Sequence, residues 1–283
     1  MSRLDEAFTF SKLHILVRRS PWICTPLVLL SLLAACSTDG PARLHAPPTC
    51  RSTEGTCSFL IGNRFTVSID RQVLALAHAQ GADLAAQLSL WLHHVASLLP
   101  GPPTSISIVT GVEGIDPNIG VGASTSAVSG SISISVRPVS RILVRDVMGR
   151  WLRQALSHEV DHSVRALDGP GLGTTLLDYF VNEGLADAFD RQAWPGMRLP
   201  WDHALTTTAE RELWARARPQ LSISDPAAYQ PWFFGGPGIP RWAGFTIGHD
   251  MVDGYLARHP KLSAASLVRT PATSILAGSG FAP

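Results

Sequence analysis

The sequence predicts an α+β protein, with a small mixed α/β N-terminal portion carrying a short sheet and a mainly helical portion after it. Three observations lead there. Two-residue alternation of apolar and polar side chains is confined to stretches before residue 137. Helical spacing takes over from Val144. The Pro/Gly-rich stretch between Trp194 and Pro240 breaks that helical pattern without restoring alternation. At 283 residues, 45% hydrophobic and 16% charged, the chain is long enough to bury a substantial core.

Residues 1–35 read as a leader outside the fold. Arg18 and Arg19 precede an apolar run from Pro21 to Ala35 that is too short to span a bilayer comfortably. The acidic Asp5 and Glu6 are unusual so far upstream in a leader, and suggest a translation start near Val17. Residues 36–60, rich in Ser, Thr, Pro and Gly, are expected to form a tether, and residues 61–283 the folded domain. Cys50 and Cys57 flank a short polar loop, and a disulfide between them fits an exported chain.

The folded part begins with Phe65-Thr66-Val67-Ser68-Ile69, which alternates as a strand. Leu84, Leu88, Trp91, Leu92, Val95 and Leu99 recur at helical spacing until Pro100 ends the helix. Ser105 to Val109 reads as a strand. Gly120 to Gly130 reads as a loop, followed by the Ser/Ile alternation of Ser131 to Val136. A helix is expected from about Val144 to Arg165. Others carry Leu176, Tyr179, Phe180, Glu183 and Asp187 on one face, and Trp242, Phe245, His249, Val252 and Leu256 on one face.

The chemistry concentrates in His158-Glu159-Val160-Asp161-His162. On a helix, two histidines four residues apart point the same way one turn apart, so both imidazoles can bind one tetrahedral Zn²⁺. Glu159, on the same half of the helix, is placed to act as general base. Two residues compete to be the third ligand. Asp168 lies six residues after His162, but Arg165 stands where the corresponding pattern has a glycine for its sharp turn. Glu183 is the better candidate, reached through Gly169-Pro170-Gly171 and a second helix, with Asp187 one turn on to accept the free N–H of a ligating imidazole. Arg165, one turn below His162, is a candidate to orient acidic side chains. His249, inward-facing among apolar neighbours, is the candidate for stabilising a tetrahedral oxyanion. His93 and His94, beside Trp91 and Leu92, read as structural or exposed, and His203 and His259 suggest no partner.

The pattern H-E-x-x-H followed by Asn182-Glu183-Gly184-Leu185-Ala186-Asp187 resembles the gluzincin peptidases. More closely, the chain is similar to a bacterial family of predicted zinc-dependent proteases. The similarity lies in His158 to Arg165, Glu183 to Ala186, Arg241 to Gly248 and Ile275 to Ser279. It covers roughly residues 65–283, with a specific metal motif and a weak C-terminal pattern. Phe245 and His249 depart from it, standing where tyrosines are expected. The resemblance implies a zincin-like fold with Zn²⁺ as cofactor and a peptide or protein substrate. It also implies substrate binding along an edge strand beside the metal helix, for which Ser131 to Val136 is the candidate.

Leu33-Ala34-Ala35-Cys36 resembles a bacterial lipobox. That implies acylation at Cys36 and a membrane partner reached through the lipid. Ser37, in place of an acidic residue, implies the outer membrane, facing the periplasm. A net charge of +1 with no basic stripe gives no reason to expect nucleic acid. Two other functions stay open on these residues: a zinc-binding envelope lipoprotein without catalysis, and a hydrolase of cell-wall peptides. The oligomeric state is not encoded in any pattern found.

Overall fold

In the computed structural model, the residues described are 51–53, 55–111, 115, 119–137 and 145–281. The expected leader, the lipobox with Cys36, and Cys50 lie outside them. No helix among the described residues is long and apolar enough to cross a membrane.

Six strands form one sheet: β1 (Arg51–Thr53), β2 (Thr56–Ile61), β3 (Phe65–Asp70), β4 (Thr104–Thr110), β5 (Val121–Thr125) and β6 (Ile132–Val136), in the order β1-β2-β3-β4-β6-β5. The β3–β4 and β4–β6 pairs are parallel, and the others are antiparallel. The parallel β3–β4 pair needs a crossover, supplied by α1 (Arg71–His78) and α2 (Leu84–Leu98), which start at the side-chain caps Asp70 and Asp83. Alternation is visible in the burial. Phe65, Val67 and Ile69 of β3, Ile106 and Ile108 of β4, and Ile132, Ile134 and Val136 of β6 all enter the core.

Two expectations change here. The stretch taken as a tether is already strand from Arg51 to Thr53 and from Thr56 onward. Cys57, Phe59 and Ile61 are buried, and Cys57 is disulfide-bonded. The stretch read as a Gly/Ser loop contains β5, which is the edge strand. Ser131 to Val136 supplies β6, which lies between β4 and β5 and is not an edge. The small polar side chains of Gly122 to Thr125 carry no apolar alternation; pairing with β6 makes this stretch a strand.

The helical portion opens with a π-helical turn, Val147–Trp151, that runs directly into α3 (Leu152–Asp168). Next come α4 (Leu176–Ala193), α5 (Thr207–Ala217), α6 (Pro226–Phe234), α7 (Ala243–Arg258), α8 (Ala264–Leu267) and α9 (Ala272–Ser279). The two helices that matter most to the site are α3, lying against β5 and β6, and α4, packed between α3 and α7. A reciprocal capping box of Thr175 and Asp178 starts α4. Gly184 on α4 and Gly248 on α7 let the two backbones meet. A Cβ on Gly184 would lie 2.1 Å from the Gly248 carbonyl oxygen, and one on Gly248 would lie 2.1 Å from the Phe180 carbonyl oxygen.

Arg165 is buried near the end of α3. It donates to Asn182 Oδ1 (2.7 Å) and to the carbonyls of Val268 (3.0 Å) and Thr270 (2.9 Å). It therefore ties α3 to α4 and to the chain after α8; its hydrogen bonds go to amide oxygens, not to the carboxylates it was expected to orient.

Candidate metal centre

His158 and His162 project from one face of α3, their rings 4.7 Å apart and perpendicular. Glu183 of α4 comes in opposite them, with Oε2 3.1 Å from His158 Nε2 and Oε1 3.6 Å from His162 Nε2. One donor atom from each of the three lies within 4.8 Å of the others. Two imidazole nitrogens and a carboxylate oxygen, in a cluster opening on a cleft, make a donor set that could hold a metal ion and fits the chemistry of zinc. Asp168, the competing third ligand, is exposed and pairs with Arg269, away from this cluster.

The electrostatics suit a cation at this point. Burial works to raise the Glu183 pKa, but the neighbouring imidazoles, His162 foremost, hold it well below the usual carboxylate range. Burial works to lower both histidines, yet His158 is raised well above its ordinary value by Asp187, Asp190 and Glu183, and His162 is raised by Glu183.

Behind His158 stand two buried carboxylates. Its Nδ1 is 3.4 Å from Asp187 Oδ1 and 3.5 Å from Asp190 Oδ2, with no hydrogen bond made. Asp187 is held by the Trp201 indole N–H, at 3.1 and 3.0 Å from its two oxygens. Asp190 is held by Gln154 Nε2 (2.7 Å) and by the Ser157 hydroxyl. Asp187 was expected here. Asp190 was missed, although it follows Asp187 by three residues on the same helix face.

Glu159 is buried beside the histidines, and the Thr125 hydroxyl of β5 donates to its Oε2 at 2.7 Å. The cleft in front has a volume of about 680 Å³. The edge strand β5 borders it, and Tyr179, Trp201, Trp242 and Phe245 line it as well. His249 does not line this cleft. It is buried, but its Nδ1 lies 2.6 Å from Asp250 Oδ1, its Nε2 lies 3.6 Å from Asp253 Oδ2, and its ring meets His203 edge-on. Tyr179, one turn before Glu183 on α4, is the residue that faces the cleft. Tyr229 stacks on its ring at 4.2 Å and donates to its hydroxyl at 2.8 Å, and burial pushes its pKa up to about 12. Its position on the Glu183 face was readable in the sequence; its role was not assigned.

A family model described as "Predicted Zn-dependent protease" matches residues 122–277, from β5 through most of α9. The chain belongs to this family. The matched span contains β5 apart from its first residue, both histidines, Glu159, Glu183 and the two aspartates behind His158. No curated protein and no solved structure matches the chain.

Proposed function

We propose that the protein is a zinc-dependent peptidase of the bacterial cell envelope. In this reading it is exported and lipid-anchored through Cys36 at the outer membrane, facing the periplasm, and it acts on a peptide or protein substrate. The observation that carries the catalytic part is the convergence of His158, His162 and Glu183 within 4.8 Å, in a cleft that Glu159 also lines. The leader and the lipobox residues Leu33 to Cys36 support the anchored part.

His158, His162 and Glu183 are the zinc ligands in this reading, and Asp187 and Asp190 stand behind the His158 ring, placed to accept from its Nδ1–H. Bound zinc supplies a Lewis acid that polarises the scissile carbonyl and makes water acidic enough to attack. Glu159 takes the proton from the attacking water and passes it to the leaving amine. Thr125 fixes one of its oxygens and leaves Oε1 for that proton. Tyr179, rather than His249, stabilises the oxyanion. Because Tyr229 donates to the Tyr179 oxygen, the Tyr179 proton is free to point at developing negative charge. The edge of β5 offers backbone groups to an extended peptide, which adds as a further strand; Trp201, Trp242 and Phe245 take up an apolar side chain.

The test is Glu159→Gln measured against a broad peptide library. The variant should keep bound zinc and lose hydrolysis by roughly 10²-fold or more. Undiminished turnover would reject the mechanism, and absence of turnover in the native protein would reject the peptidase reading.

A further inference from the structure

Away from the cleft, on another side of α3, Arg150 and Arg153 meet Arg198 from the chain after α4 around a second cavity of about 580 Å³. Trp194, Pro195, Gly196 and Met197 complete its lining, and no acidic residue lines it. The local sequence is strongly basic: Arg137, Arg141, Arg145, Arg150 and Arg153 fall in one short stretch with Asp146 as its only acid. None of the three lining arginines is in an ion pair among the described residues. Like charges gathered without a counter-charge raise the free energy of the folded chain, so an external anion is the natural complement.

Two of the three guanidiniums are also held in place. Arg150 lies 4.4 Å over the Trp151 ring and donates to the Arg198 carbonyl; Arg153 lies 4.7 Å over the Trp194 ring. Stacking on the indoles positions these two guanidiniums beside the cavity. The Arg153 Nε–H is buried with no acceptor, a donor that folding has removed from water without satisfying it. A carboxylate would occupy one fork. Three forks around one cavity match a tetrahedral, multiply charged group with at least three acceptor oxygens.

We propose that Arg150, Arg153 and Arg198 form a binding site for a phosphoryl group, with Trp194 and Met197 packing against the organic part that carries it. The cavity is larger than a phosphate ion, so a small phosphomonoester or a phospholipid headgroup is the ligand class. The proposal does not rest on the peptidase reading.

The experiment uses the full chain with zinc content matched, comparing the native protein with Arg153→Gln and Arg198→Gln. Isothermal titration with inorganic phosphate reads the free-anion arm. Cosedimentation with phosphatidylcholine vesicles, with and without phosphatidic acid, reads the headgroup arm, and any contribution of the leader is common to all three proteins. Phosphate binding should be saturable and weaken roughly tenfold in each variant. If phosphatidic acid enriches the native protein on vesicles over both variants, the source is a headgroup. If only the titration separates them, it is a free phosphate compound. Equal behaviour of all three proteins in both arms overturns the proposal. Arg198 is exposed and outside any helix, so Arg198→Gln decides the matter if Arg153→Gln does not fold.

Discussion

Replacing Gly184 by alanine puts a number on how tightly the third-ligand helix is held. The new Cβ would lie 2.1 Å from Gly248 O, 2.4 Å from Gly248 C and 3.0 Å from His249 N, whereas ordinary contact begins at 3.4 Å. All three atoms are backbone, so no side chain can rotate aside and α7 must retreat by about 1.3 Å, the difference between 3.4 and 2.1 Å. Overpacking of this kind costs about 1–3 kcal/mol, and a gap of that size forfeits part of the dispersion along the crossing. Alanine's better helix propensity returns only about 0.5–1 kcal/mol. The expected net loss is about 1–2 kcal/mol, or a drop in Tm of roughly 2–8 °C. Gly149→Ala is the internal control: nothing lies within 4 Å of its Cβ position, so it should be neutral or stabilising. Urea unfolding followed by circular dichroism measures both variants. Because Glu183 adjoins Gly184, zinc affinity measured by chelator competition should fall roughly tenfold in Gly184→Ala as well. A Gly184→Ala protein as stable as the native one would refute the close crossing and the reasoning built on it.

Three further outcomes are expected. In metal-free protein, burial raises the Asp161 pKa to about 6 while both its oxygens lack hydrogen-bond partners. A raised acid imposes no penalty below the unfolded pKa, and its penalty grows as pH climbs to about 6 and persists above it. Asp161→Asn should therefore stabilise the metal-free chain at pH 8 by about 2 kcal/mol and have little effect at pH 4, as read from denaturation midpoints. Thr125→Val removes the hydroxyl that fixes Glu159 and should lower kcat roughly tenfold with zinc content unchanged. Tyr179→Phe removes the hydroxyl facing the cleft and should lower kcat roughly 10²-fold, with KM and zinc content little changed.

Helical geometry made much of the centre legible in advance. A spacing of four residues fixes His158 and His162 on one face, and the same rule aligns Glu183 with Asp187. It also put His249 on a buried face, which is where it lies. Periodicity, however, tells which face is inward and not which neighbour waits there, and His249 meets Asp250 and His203 instead of the cleft. Strands were legible where apolar residues alternate, as in Phe65 to Ile69. They were hidden where pairing alone makes the strand, as in Gly122 to Thr125, and the sheet edge beside the metal-motif helix was placed on the wrong strand for that reason. Overall charge concealed as much: a net +1 averages away the arginines that gather around Trp194.

Trp201 joins two properties that an enzyme would otherwise adjust separately. Its ring forms part of the cleft wall, where a substrate side chain would rest, and its N–H grips the carboxylate behind His158. Reshaping that wall to admit a different residue therefore disturbs the group that backs a metal ligand. Under the proposed function, if zinc binding and occupation of the wall are coupled through Trp201, each would change the other by the same free energy. For such a site, selectivity and metal retention are a single design variable, and a variant chosen for a new substrate has to be assayed for zinc before its preference can be interpreted.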